Sequence, residues 1–299
     1  MYRCLIWGTG KCLTDNFSTI RIHEELGNIK VTAVTSNADF LSYGSYPFVK
    51  KEFIRTEDYE IIIIMVYDKR VVNKIKGEIL NKGFEEYQII PYHVIGKLGF
   101  TFDGYQSLVR RTPSIFAPNC WGGITYNYLG LKFCSPLINM FESHTDYLKL
   151  LKKPEHYMRL ELELDEMCYE CNLKREYPVV KCGDIRLHFN HYITFEDANR
   201  CWERRKKRID WDNLFVMDFE EERDLAQEFS KLPYKRKVCF VTFPANEPSL
   251  IYIDYKKSSI LKEKLFYEIV NGMASGDYLY YNVFQLLSSG EAEAVSSFL

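Results

Sequence analysis

Asn119-Cys120-Trp121-Gly122-Gly123 holds the most chemically able residues in the chain within five positions. The segment follows a strand-like run, Ser114 to Ala117, and Pro118, and it leads into a short helical stretch, Ile124 to Leu129. Its two glycines allow positive φ and leave room for close approach by another group. Three readings stand side by side. In the first, Asn119 and the Gly122 and Gly123 amides hold a phosphate or a sugar hydroxyl while Trp121 stacks on a sugar or base. In the second, Cys120 is a nucleophile. A thiol at a helix N-terminus is biased toward thiolate, and His188 or His191 downstream can serve as base. In the third, Cys120 is a buried apolar filler and the glycines only shape a tight turn.

The two histidines flank Phe189-Asn190. Residues 185–189 alternate like a strand, which sends His188 and His191 to opposite faces and argues against a shared metal. One of them in a cleft can act as general acid or base, with Asp184 or Asp210 as the nearby carboxylate. Cys168, Cys171 and Cys182 do not complete a zinc-ligand spacing. No metal ligand is assigned and a metal-independent mechanism is expected, with a divalent cation such as weakly bound Mg²⁺ on Asp184 or Asp210 as the alternative. Further along, Phe195, Ala198, Trp202 and Ile209 form a helical apolar stripe. Arg205 falls on that inward side, where a guanidinium wants a carboxylate or an anionic ligand.

A second glycine turn, Gly8-Thr9-Gly10, sits after the first strand, where a doubly wound sheet places its phosphate-facing loop. The third glycine of the dinucleotide fingerprint is replaced by Leu13, and the second strand ends in Ser36-Asn37 rather than an acid. The turn therefore reads either as a weak phosphate site or as a plain strand-to-helix link.

These residues need elements to hold them. From Tyr2 to Ile90 strands and helices alternate, with Ile61 to Val66 apolar throughout, as in a strand covered on both faces. Asp68 is positioned to cap a helix whose stripe is Val71, Val72, Ile75, Ile79 and Leu80. One helix is expected to carry Leu13, Phe17 and Ile20 and to stop at Gly27. This alternation predicts α/β architecture with a Rossmann-like parallel sheet over residues 1–98. A second α/β domain is expected over 106–290, with strands at Ser114–Ala117, Ile185–Phe189, Leu214–Met217 and Lys237–Phe243. Its helices are expected to start at Ser143 and Thr194 and to include Glu221–Phe229, Ile260–Val270 and Asp277–Leu287. Residues 291–299 read as a mobile tail.

Composition narrows the function classes. A net charge of -2 over 299 residues gives no electrostatic attraction to nucleic acid. No apolar run reaches membrane-span length, and the N-terminus has no signal-peptide layout. Nine cysteines, an odd number without export signals, fit reduced thiols in a cytoplasmic protein. Oligomeric state is not legible.

The central motif, together with Leu129-Gly130-Leu131, Ser135-Pro136, Tyr177-Pro178-Val179, Asp184-Ile185, His188, His191-Tyr192, Glu196, Trp202, Arg205, Arg208-Ile209 and Leu232-Pro233-Tyr234, resembles an uncharacterised bacterial family. Its members are often labelled exopolysaccharide biosynthesis proteins. The resemblance implies a role in surface polysaccharide pathways and a small-molecule or glycan ligand. On that basis the leading expectation is a glycosyltransferase that uses a nucleotide sugar as substrate, with no resident cofactor. In it Asn119, Trp121, Gly122, Gly123, Trp202 and Arg205 bind substrate, and His188 or His191 moves a proton. Two alternatives remain: a cysteine-dependent hydrolase or acyltransferase using Cys120 and a histidine, and a non-catalytic nucleotide- or glycan-binding protein.

Overall fold

The computed structural model describes residues 1–37, 42–171, 174–278 and 281–290. The tail expected to be mobile lies outside the described residues. The chain divides into two compact units, Met1–Arg110 and the remainder from Arg111. Both are α/β and both contain an all-parallel sheet.

The first unit has strands β1 (Tyr2–Trp7), β2 (Ile29–Thr35), β3 (Ser42–Tyr43), β4 (Tyr46–Pro47), β5 (Ile61–Ile64) and β6 (Ile89–Pro91). Its helices are α1 (Lys11–Asp15), α2 (Phe17–Glu25), α3 (Lys69–Asn81) and α4 (Phe102–Arg110). The main sheet has the order β2-β1-β5-β6. All four isoleucines of β5 are buried, as a strand with both faces covered requires. Asp68 caps α3 by accepting from the Arg70 amide at 2.8 Å. Ile75 and Ile79, one turn apart, are buried, whereas Val71 and Leu80 of the expected stripe are exposed. The single helix expected up to Gly27 is instead two. The break falls at Asn16, whose side-chain amide donates to the Cys12 carbonyl at 2.9 Å and closes α1.

The second unit begins with β7 (Ser114–Phe116), α5 (Trp121–Leu129), α6 (His144–Lys152) and α7 (Pro154–Arg159). An antiparallel sheet follows, made of β8 (Glu163–Glu170), β9 (Arg175–Cys182) and β10 (Ile185–His188), in the order β10-β9-β8. Next come α8 (Phe195–Lys206), β11 (Leu214–Glu220), α9 (Arg223–Ser230), β12 (Lys237–Val241), β13 (Leu250–Tyr252), α10 (Phe266–Ser275) and α11 (Val283–Ser289). The parallel sheet has the order β13-β12-β11-β7. Its core joins Phe116 and Val216 to Tyr147, Phe189, Trp202 and Phe229. Ser143 and Thr194 cap α6 and α8, each accepting from an amide three residues on, at 3.1 and 3.2 Å. α10 starts six residues later than the expected Ile260, and α11 starts at Val283. Among the described residues no helix is long and apolar enough to cross a membrane.

Candidate functional site

Chemistry gathers at the carboxyl end of the second parallel sheet. β7 and β11 run side by side with Phe116 opposite Val216. Beyond Phe116 the chain turns through Pro118–Cys120 into α5. Beyond Val216, β11 continues to Asp218 and Glu220. Two residues apart on a strand, these two acids project to the same face. They are buried, Asp218 completely. The Ser143 cap starts α6 at His144, and the Glu142 amide donates to the Pro118 carbonyl at 3.1 Å. That contact ties the start of α6 to the turn after β7.

His144 Nδ1 lies 3.0 Å from Asp218 Oδ1 and 2.9 Å from Glu220 Oε1. The ring also meets Phe219 edge-on, with centroids 4.9 Å apart. Nδ1 can carry only one hydrogen. It is directed at Asp218, so Glu220 Oε1 sits in contact without a donor of its own. Asp218 Oδ2 and both oxygens of Glu142 also have no donor. Such buried groups cost about 1–3 kcal/mol each and more when charged.

Burial acts on His144 to pull its pKa down, but the hydrogen bond to Asp218 and the close carboxylate of Glu220 outweigh it and push the imidazole up to about 10. Burial raises Asp218 and Glu220 above the usual carboxylate range, partly offset by His144. It raises Glu142 further, helped by the charges of Asp146 and Asp218. The ligand-type atoms of His144, Asp218 and Glu220 all lie within 4.8 Å of one another, a spacing that can hold a metal ion.

The sequence-derived candidates divide into two groups. Cys120 and His191 do meet: Sγ and Nε2 are 3.3 Å apart. Cys120 is the residue before α5, and Asn119 Oδ1 accepts from the Trp121 amide at 2.9 Å. The biased-to-thiolate expectation is not met, because burial pushes the thiol up. Burial and the neighbouring Arg175 draw His191 down. The pair is therefore a neutral S–H···N contact. His188, on β10, has other neighbours: it stacks on Phe141 at 4.6 Å and its Nδ1 lies 3.3 Å from the Tyr177 hydroxyl.

Trp121 presents no face to a ligand in this structure. Its indole is fully buried, stacks on Phe215 at 5.9 Å and donates to the Tyr281 hydroxyl at 3.2 Å. Trp202 is likewise sealed in the core against Phe189. A helix that starts on an apolar strand buries its first large side chain, and α5 packs on β7. A Cβ at Gly122 would stand 3.2 Å from the Ile115 side chain, and one at Gly123 3.0 Å from that of Ile138. The two glycines thus let α5 approach closely. Arg205 points inward as expected, but it donates to the Ile138 carbonyl at 3.2 Å and the Tyr192 hydroxyl at 2.8 Å rather than to an acid. Asp184 accepts from Tyr157 at 2.7 Å. The chain does contain an Asp-x-Asp spacing, Asp210-Trp211-Asp212, but Asp210 is engaged by Arg111 at 3.0 Å and by the Asp212 amide at 3.1 Å.

In the first unit, Gly8 has φ +119°, and a Cβ there would come 2.5 Å from the Met65 carbonyl oxygen. Its amide donates to Thr35 O at 2.8 Å. Glycine is required at this position by the neighbouring backbone alone. Gly10 immediately precedes the five-residue α1, and Thr9 lies between it and Gly8.

His144, Asp218 and Glu220 were not found from sequence because 74 residues separate the histidine from the first acid. One signal was available. In Leu214-Phe215-Val216-Met217-Asp218-Phe219-Glu220 two acids occupy one face at the end of an otherwise apolar strand.

Residues 92–287 match the family described as Domain of unknown function (DUF1919), and the chain belongs to that family. Residues 1–90 match a second family, described as C2185-like, N-terminal. A relative from Haemophilus influenzae (strain ATCC 51907 / DSM 11121 / KW20 / Rd), described as an uncharacterized protein, is 32% identical over 143 residues. The alignment covers 46% of this chain and 66% of the relative, just under two thirds of its length. None of these descriptions names a reaction, a substrate or polysaccharide biosynthesis.

Proposed function

We propose that the protein is a transferase of polysaccharide biosynthesis that moves a sugar from a nucleotide-activated donor. Its reaction centre is the carboxyl edge of the β13-β12-β11-β7 sheet. The observation that carries the reading is His144 held between Asp218 and Glu220 at that edge, beside the Pro118–Cys120 turn. Open parallel sheets bind ligands at the carboxyl ends of their strands. A nucleotide-sugar donor leaves as a nucleoside diphosphate, and its developing charge needs a positive partner in a dry site. An imidazolium stabilised by two buried acids supplies one. The amides opening α5 supply backbone donors on the neighbouring strand. The parallel order β2-β1-β5-β6 and the Gly8 turn support a Rossmann-like reading of residues 1–98, and a cytoplasmic location accompanies this assignment.

A panel of nucleotide sugars in a melting assay tests the proposal. At least one should stabilise the protein, by about 2.7 kcal/mol at a hundred times its Kd. Its turnover in the presence of an acceptor glycan should be lost in Asp218→Asn. No response to any member of the panel overturns the reading. Stabilisation without turnover points instead to a non-catalytic binding protein.

The Cys120–His191 contact favours a second reading, a cysteine-dependent hydrolase or acyltransferase. There the thiol proton passes to His191 Nε2 as sulfur attacks an acyl carbon, the alcohol or amine of the substrate leaves with that proton, and water or an acceptor then cleaves the thioester. Cys120→Ser separates the two, since it abolishes an acyl-transfer activity and leaves a sugar transferase working.

A further inference from the structure

We infer that His144, Asp218 and Glu220, with Glu142 beside them, form a binding site for one divalent cation of the Mg²⁺ or Mn²⁺ kind. The location rests on the reaction centre proposed above; cation binding itself does not depend on that reaction.

Three atoms of ligand type, His144 Nδ1, Asp218 Oδ1 and Glu220 Oε1, converge at 2.9–3.0 Å about the imidazole nitrogen. Only one hydrogen is available there. Glu220 Oε1 is left without a donor, and so are three further oxygens in the same neighbourhood, Asp218 Oδ2 and both oxygens of Glu142. Asp218 is completely buried and Glu142 is 5% exposed. The charges of Asp146, Asp218 and His144 are all felt at Glu142. A protein does not normally leave several buried carboxylate oxygens unpaired. Either protons or a cation must be added, and among the described residues no side chain donates to these oxygens. With the cation in place, Nδ1 turns a lone pair rather than a hydrogen to the centre, the two acids no longer compete for one proton, and the cation replaces the imidazolium as the positive partner of the leaving diphosphate.

The class of cation follows from the donor set. Carboxylate oxygens outnumber the single imidazole, which suits Mg²⁺ or Mn²⁺ better than a soft, thiolate-seeking metal. The His144 side chain is 30% exposed, so the site opens to solvent on that side. Mg²⁺ keeps some of its waters and commonly takes substrate phosphates in their place. The diphosphate of a nucleotide-activated donor is therefore the ligand class that fits the open positions.

The test uses the full chain, stripped with EDTA and titrated with Mn²⁺ alone, with free Mn²⁺ followed by electron paramagnetic resonance. One Mn²⁺ should bind per chain and be displaced by Mg²⁺. Asp218→Asn and His144→Gln should each weaken binding at least tenfold, while Asp212→Asn, which removes the Asp-x-Asp spacing, should bind as the wild type does. Should Asp218→Asn fail to fold, Glu220→Gln on the strand's end decides the matter. Overturning results are an absence of saturable Mn²⁺ binding by the folded wild type, binding unchanged in Asp218→Asn, His144→Gln or Glu220→Gln, or binding lost in Asp212→Asn. Mn²⁺ binding with no response to nucleotide sugars keeps the cation and rejects the transferase. Sugar transfer by a protein that binds no Mn²⁺ does the reverse.

Discussion

His144 Nδ1 and Asp218 Oδ1 meet at 3.0 Å across 74 residues of sequence. Both ends of the contact are built in. The histidine is the first residue of a helix whose start is set by the Ser143 cap, and the aspartate is fixed in the ladder of a buried central strand. Neither side chain chooses its position alone, so the pair is preorganised before any ligand arrives.

The Ser143 hydroxyl should therefore matter to the site as well as to the helix. Ser143→Ala removes the acceptor for the Asp146 amide and should cost about 1 kcal/mol of stability. The freed first turn should also loosen His144, so Mn²⁺ affinity should fall although no proposed ligand has changed. Ser143→Thr, which restores the cap, should recover both quantities. Urea unfolding and metal titration on the two variants read the result, and full affinity in Ser143→Ala would show that the cap does not position the imidazole.

Glu142 offers a stability–function trade. Its carboxylate is buried, lacks donors and is pushed well above its usual range by burial and by the charges of Asp146 and Asp218. Glu142→Gln replaces a buried acid, whose ionised form burial disfavours, by a neutral group of the same shape. In metal-free protein the change should raise stability by about 1–3 kcal/mol. In the same variant Mn²⁺ affinity should drop. A lowered melting temperature without metal would mean that the carboxylate already has a partner.

How much of this could be read from the residues alone depends on range. Local signals were legible: the Asp68, Ser143 and Thr194 caps, the all-isoleucine strand β5, and the inward face of α8 that carries Trp202 and Arg205. Of the two histidines that the sequence offers Cys120, His191 is the one in contact with it. Strands β8 and β9 were not anticipated. β8 is largely exposed and rich in acids, so its hydrophobic alternation is weak, and β9 is defined by its neighbours. Trp121 misled because a tryptophan beside two glycines suits either an open platform or a tightly packed helix start. Only the packing of α5 on Ile115 and Ile138 decides between them. The acid–imidazole cluster depends on β7 and β11 being neighbours, which no local pattern encodes.

Trp121 provides a direct check of its core role. Trp121→Ala should cost about 3–5 kcal/mol, the range for truncating a buried large aromatic. Trp121→Phe keeps much of the contact with Phe215 but loses the bond to the Tyr281 hydroxyl, so its cost should be smaller. Denaturant unfolding separates the two variants. A Trp121→Ala protein of wild-type stability with impaired ligand binding would return the residue to the binding surface.

Cys120 and His191 make the sharpest pH prediction. Burial raises the thiol above its ordinary value, about 8.5 for a free cysteine. Burial, with Arg175, lowers the imidazole. Both shifts favour the uncharged pair, so at pH 7 the thiolate fraction of Cys120 should lie below that of free cysteine. Iodoacetamide labelling of the Cys120 peptide, followed by mass spectrometry, should be slow at pH 6–7. It should climb about tenfold per pH unit and still be climbing when the pH passes the free-thiol value. His191→Ala should change the rate at pH 7 little, because the imidazole it removes is already neutral. A fast plateau between pH 5 and 7 that vanishes in His191→Ala would reveal a thiolate–imidazolium pair. Cys120 would then be an activated nucleophile, and the acyl-transfer reading would displace the sugar transferase.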